Sequence, residues 1–168
     1  MEAQRRLKGS GVEASWPRPE GIHLTLKFLG DVPEEKIAEI LKELRQAVEG
    51  TAPFRLEVGG VGAFPGLKNA RVAWIGFSGE TESLARLQVA VENAMVRIGM
   101  AREDRKFTPH LTLGRIKYIR SSDKWLEAVE EVKNIKLPGF DVASISLMKS
   151  ELKPSGAVYA EMGRIELQ

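Results

Sequence analysis

Residues 23–26 read HLTL, and residues 110–113 read HLTL again. The chain has two histidines, and each opens one copy of this phrase. In an extended strand, residues i and i+2 share a face. His23 and Thr25 then point one way, while Ile22, Leu24 and Leu26 point to a core. The same alternation pairs His110 with Thr112 and buries Leu111 and Leu113. Each copy therefore offers one imidazole and one hydroxyl. Histidine gives or takes a proton near physiological pH, so two of them can divide into an acid and a base. The threonine hydroxyls can hold the non-bridging oxygens of a phosphate. Together these groups are equipped for in-line displacement at phosphorus, with nearby cations stabilising the charge. Neither phrase contains Asp or Glu, and cysteine is absent. Two histidines alone fall short of a closed zinc shell, so the pattern favours chemistry without metal or cofactor.

A lone histidine in a strand is most often structural. Two in an identical phrase, 87 positions apart, within otherwise diverged flanks, argue for retained chemistry. The flanks also share an order of elements. HLTLKFLG is strand-like and is followed by a helical segment. Pro33 stands at the start of that helix, Asp31 is a candidate N-cap, and Ile37, Ile40, Leu41, Leu44 and Val48 fall at helical spacing. Strands FRLEVGGVGAFPG (54–66) and ARVAWIGF (70–77) come next. After His110 the order returns: HLTLGRIKYI, a helix over 122–134, then strands over 140–152 and 157–167. Ala70 and Ala157 lie at the same distance, 47 residues, after their histidines. The pattern predicts duplicated strand–helix–strand–strand lobes, with repeat units of roughly 23–78 and 110–167 and a pseudo-two-fold relation. Symmetry would bring the two His/Thr pairs across a shared cleft.

A further helix is predicted over 82–99, with Leu84, Leu87, Val91, Ala94, Met95 and Ile98 on one face. By symmetry a strand and a helix also precede the first HLTL. EAQRRLKG reads as the end of that helix, closed by Gly9. The strand before it is expected to be missing. That leaves a sheet edge exposed and the chain monomeric or weakly oligomeric through it.

The bulk properties limit the alternatives. The chain has 168 residues, 43% hydrophobic and 29% charged, with a net charge of +2. That suits one globular domain over 1–168. No run is long and apolar enough for a membrane helix, and no secretory signal opens the sequence. The lack of cysteine fits a reducing cytoplasm. Arg102, Arg105 and Lys106 lead into the second HLTL, and Arg115, Lys117 and Arg120 follow it. These charges read either as a phosphate-attracting patch or as a solvated loop. GGVG (59–62) lacks the lysine and helix of a phosphate loop and more plausibly bends a strand. PSG (154–156) reads as a hairpin turn. Trp74, on a strand begun by Arg71, and Tyr159 fall on corresponding repeat strands and read first as core, second as base-stacking groups. Lys149 and Ser150 lie on a strand that could border the cleft.

The paired phrases resemble the 2H phosphoesterase superfamily. HLTLKFLG followed by HLTLGRI is most similar to the RNA 2′,3′-cyclic phosphodiesterases, also called 2′-5′ RNA ligases, and the resemblance runs from Trp16 to the C-terminus. It implies an α+β bilobal fold, with antiparallel sheets flanking a central cleft and helices outside. It implies hydrolysis of 2′,3′-cyclic phosphate ends of RNA, or of cyclic nucleotides, to 2′-phosphomonoesters without metal. His23 and His110 match the catalytic histidines, the first as the acid for O3′ and the second positioning water. Thr25 and Thr112 match the phosphate-binding threonines. Arg115 matches a phosphate-binding arginine, and Phe28 a base-binding aromatic. Strict alternation sends Phe28 and Arg115 away from the His/Thr face, unless Gly114 allows a bulge and the strand ends near Gly30. The rival readings are reversible 2′-5′ ligation by the same groups and an RNA- or nucleotide-binding module with idle histidines.

Overall fold

The computed structural model describes residues 2–153 and 156–168. The fold is α+β. Among the described residues, four α-helices, α1 (Glu2–Gly9), α2 (Ile37–Val48), α3 (Thr81–Arg97) and α4 (Ser122–Val132), are interspersed with seven strands. The strands are β1 (Glu13–Ser15), β2 (Phe54–Phe64), β3 (Val72–Gly79), β4 (Leu111–Tyr118), β5 (Lys136–Val142), β6 (Ser144–Lys153) and β7 (Gly156–Glu166).

The chain divides into two compact units, each made of three segments. The first takes the segment ending at Leu24, then Glu57–Ser78, then Pro109–Gly139. The second takes Thr25–Leu56, Gly79–Thr108 and Phe140–Gln168. Neither unit is one half of the chain. The first joins the β2–β3 hairpin to β4 and α4 from the other half, and the second joins α2 to the β6–β7 hairpin.

The first unit is a sheet with helices on one face. Its strand order is β1-β4-β3-β2-β5, and β4 runs antiparallel to both neighbours. Alternation along the strands sends Val58, Ala63, Ala73, Ile75, Leu113 and Ile116 into one core with Ala3 and Leu7 of α1 and Trp125, Val129 and Val132 of α4. Trp125 is fully buried, and its indole N–H donates to the Leu67 carbonyl at 2.9 Å, so its one polar atom is satisfied. Ser121 caps α4 by accepting from the Lys124 N–H.

Two breaks in strict alternation, on β2 and β4, matter for the site. Val58 and Val61 are both buried although three apart, because Gly60 between them takes φ +75. On β4 the register to β3 runs Ile75↔Leu111, Trp74↔Thr112, then Ala73↔Gly114 and Val72↔Arg115, which leaves Leu113 as an extra residue. The bulge falls beside Gly114. A Cβ there would lie 2.6 Å from Trp16 Cε3 and 2.7 Å from Cζ3. Gly114→Ala is therefore expected to overpack the indole and cost about 1–3 kcal/mol. An unchanged urea midpoint would contradict that.

The second unit packs α2 beside α3 and against β7. Ile40, Leu44 and Val48 of α2 and Leu84, Leu87, Val91, Ala94 and Met95 of α3 are buried. β6 and β7 pair antiparallel from Ser144↔Glu166 to Lys153↔Gly156. The predicted PSG turn falls on Pro154 and Ser155, which lie outside the described residues.

Three sequence expectations are corrected. HLTLKFLG is not a strand: only Leu24 pairs, in an isolated antiparallel bridge to Leu111. The chain leaves the first unit there, and by Lys27 it is bonded to α3, so no ladder can extend. Asp31 does not cap the helix: a 3-10 turn, Glu34–Lys36, intervenes, with Pro33 before it and no side-chain cap. The strand expected over 140–152 is two strands split at Ala143, the first reaching back through Pro138. β5 is an edge strand, where proline's missing N–H is tolerated.

Candidate active site

The face of the first sheet opposite the helices carries the candidate chemistry. In an antiparallel bridge centred on Leu24↔Leu111, position 23 lies opposite position 112. Thr112 is also opposite Trp74 on the other side. His23, Thr112 and Trp74 therefore form a row across three neighbouring segments, with opposed Cβ atoms about 4.5–5.5 Å apart. His110 stands one residue ahead of β4 and two before Thr112. Its ring meets Phe64 at a centroid distance of 5.0 Å and Trp74 at 6.5 Å, which fixes it on this same face.

Arg115 joins them because of the bulge. Its partner Val72 is two residues from Trp74, so Val72, Trp74, Thr112 and Arg115 all share a face. Strict alternation would have sent Arg115 into the core; instead it is exposed, and Leu113 and Ile116 are buried on either side. Four of the six predicted residues, His23, His110, Thr112 and Arg115, thus lie on one surface. Thr25 is exposed and is the first residue of the second unit. Phe28 also belongs to that unit and is 79% exposed, which removes it from any core.

The orientation of His23 is set locally. Its Nδ1 lies 2.9 Å from the Gly21 carbonyl oxygen. A carbonyl can only accept, so Nδ1–H is the donor. Gly21 ends the 3-10 turn Pro19–Gly21, which delivers its carbonyl to the imidazole.

Sequence reasoning missed Phe64, Lys27 and Glu92. Lys27 and Glu92 form an ion pair in the second unit, 4% and 7% exposed at the side chain. Lys27 Nζ donates to both Glu92 oxygens, at 2.8 and 2.9 Å, and to the Ala101 carbonyl at 2.8 Å. The Glu103 N–H donates to Glu92 at 2.9 Å. Burial works to raise the Glu92 carboxyl pKa. The hydrogen bonds from Lys27 and Glu103, and the charges of Lys27 and Arg102, outweigh it and hold the group below the ordinary carboxylate value. Glu92 sits beside Val91 on the buried side of α3, where a carboxylate flanked by apolar positions was the available signal.

The predicted basic run is partly occupied. Arg105 pairs with Glu103 at 3.1 Å, and Arg102 bonds Asn93 at 3.0 Å. Lys149 lies 3.9 Å from Glu34 and from Glu151. Among the described residues, no three His, Cys, Asp or Glu side chains gather to hold a metal ion, and no helix is long and apolar enough to cross a membrane.

An α+β fold carrying two HLTL phrases on neighbouring segments defines a two-histidine phosphoesterase. The profile of the 2′-5′ RNA ligase superfamily matches residues 6–154, and the chain belongs to that superfamily. It is 36% identical over 159 residues to the RNA 2′,3′-cyclic phosphodiesterase of Methanothermobacter thermautotrophicus, spanning 95% of this chain and 85% of the relative. It is 37% identical to the protein of the same name from Thermotoga maritima, over 94% of this chain and 82% of the relative. Among solved structures, TT0787 of Thermus thermophilus superimposes with a TM-score of 0.82 at 28% identity, covering 99% of this chain and 88% of that one. Escherichia coli LigT complexed with 3′-AMP shares the fold, with a TM-score of 0.70 at 20% identity over 99% of this chain and 91% of that one.

Proposed function

We propose that this chain is an RNA 2′,3′-cyclic phosphodiesterase that hydrolyses cyclic phosphate ends, or cyclic nucleotides, by two-histidine acid–base catalysis without a metal. The observation that carries the reading is the row that sets Thr112 between His23 and Trp74, with His110 two residues away on the same face. A phosphate seated at Thr112 has an imidazole on each of two sides and Arg115 further along the strand. The names of the relatives support the same substrate class.

In the proposed step, a water oxygen bonds to phosphorus as the P–O3′ bond breaks. His110 takes the water proton, and His23 gives its Nε2 proton to O3′. The products are a 2′-phosphomonoester and a free 3′-hydroxyl, and the imidazoles reset by exchange with solvent. Thr25, Thr112 and Arg115 hold the non-bridging oxygens, and Phe28, so largely exposed, serves as a stacking surface for the base. A cysteine-free chain suits work in the reducing cytoplasm.

The test is incubation in EDTA with 2′,3′-cyclic AMP and with an oligonucleotide ending in a cyclic phosphate, followed by phosphorus NMR. A 2′-phosphate product is expected from both. No turnover of either, with binding intact, would favour a binding module. Turnover lost only in EDTA would remove the metal-free part.

A further inference from the structure

We propose that Phe64 and Trp74 are positioning residues that clamp the His110 imidazole, and that Gly62 exists to admit the clamp; this rests on the phosphodiesterase reading above. The Phe64 ring meets His110 edge-on, with centroids 5.0 Å apart and planes at 81°. Trp74 approaches the same imidazole at 6.5 Å and 57°, and stacks tilted on Phe64 at 5.2 Å and 33°. Edge-to-face contact is a preferred aromatic geometry, because the positive ring edge meets the negative face. The three rings brace one another from three strand positions: the last residue of β2, the middle of β3 and the approach to β4.

Two further features show that the indole is held there at some cost. A Cβ at Gly62 would lie 2.4 Å from Trp74 Cζ2 and 2.6 Å from Cη2, so any larger residue at 62 collides with the ring. Trp74 Nε1–H is buried and, among the described residues, has no hydrogen-bond partner. An unpaired buried donor opposes folding. A phenylalanine or leucine at 74 would avoid that cost, and simple core packing gives no reason to accept it. Contact with a catalytic imidazole does. A proton-transferring group displaced by about 1 Å loses on the order of 10²-fold in rate. His23 makes an Nδ1–H bond to the Gly21 carbonyl, and the His110 ring is in contact with Phe64 and Trp74.

Phe64→Leu and Phe64→Tyr test the clamp. The leucine variant keeps apolar bulk but loses the ring, and is expected to lower kcat about 10- to 100-fold with KM within about twofold. The tyrosine variant keeps the ring and is expected to stay within about threefold of the native kcat. Nitrogen-15 relaxation of the His110 imidazole gives a readout independent of turnover: one ordered ring in the native and tyrosine proteins, exchange between rotamers in the leucine variant. A leucine variant with native kcat, or with a His110 ring as ordered as the native one, overturns the proposal. So does equal impairment of both variants. If the native protein turns over no cyclic phosphate, the functional reading falls by itself and the imidazole relaxation still decides the clamp.

Discussion

His110→Ala is expected to lower kcat on 2′,3′-cyclic AMP by about 10²–10⁴-fold, and His23→Ala by a similar factor. Each imidazole is assigned one proton transfer in a single displacement, so neither can cover for the other. The double variant should then be scarcely slower than the slower single variant, because groups that act as a unit lose their joint effect when either is removed. His23 is exposed and His110 half-buried, and neither belongs to the helix-covered core. Thermal midpoints should therefore move little, and the loss can be read as chemistry. A His110→Ala variant within about fivefold of native kcat would end the acid–base assignment.

The second large effect is on stability. Lys27→Met leaves the Glu92 carboxylate buried with the Glu103 N–H bond and the Arg102 charge but no ion-pair partner, and is expected to cost about 3–5 kcal/mol. At this chain length that lowers Tm by roughly 6–20 °C. Glu92→Gln should cost less, since an amide can still accept from Lys27 and Glu103. The pair also predicts a pH dependence. The Glu92 carboxyl titrates below its ordinary value in the folded protein, so the unfolded chain binds the proton more readily. The contribution of Glu92 is present above the unfolded carboxylate value, about 4.3, and is lost as pH falls through the lower folded value. The stability gap between native protein and Glu92→Gln should accordingly narrow on acidification below about pH 4–5. Urea midpoints measured from pH 7 to pH 3 check this, and a gap constant throughout would count against the ion pair.

Much of this could be read from sequence because it is local. Helical spacing marks α2, α3 and α4 to within a few residues, and EAQRRLKG is the whole of α1. The twin HLTL phrases singled out His23 and Thr112, but their row with Trp74 comes from strand pairing. What stayed hidden depends on long-range partners. Nothing near Pro138 shows that β5 will find an edge position. Lys27 and Glu92 are 65 residues apart, and each alone reads as a surface charge. The direction of Arg115 turns on one extra residue opposite β3, which alternation rules cannot count. Phe64 was passed over because its ring finds His110 through the sheet, not along the chain.

The interleaving of segments has a consequence for how the protein is made. Each compact unit needs residues from before and after the 101–106 stretch. During synthesis, β2 and β3 emerge long before β4, and β3 waits with one edge unpaired until residues 111–115 arrive. The row of His23, Thr112 and Trp74 does not exist on a nascent chain that stops at residue 100, however well its helices form. A nick between the halves would leave two fragments, neither able to complete a unit alone, and assembly would then depend on their meeting. The two halves of the chain are not two independent modules; the interleaving makes each half a required partner of the other.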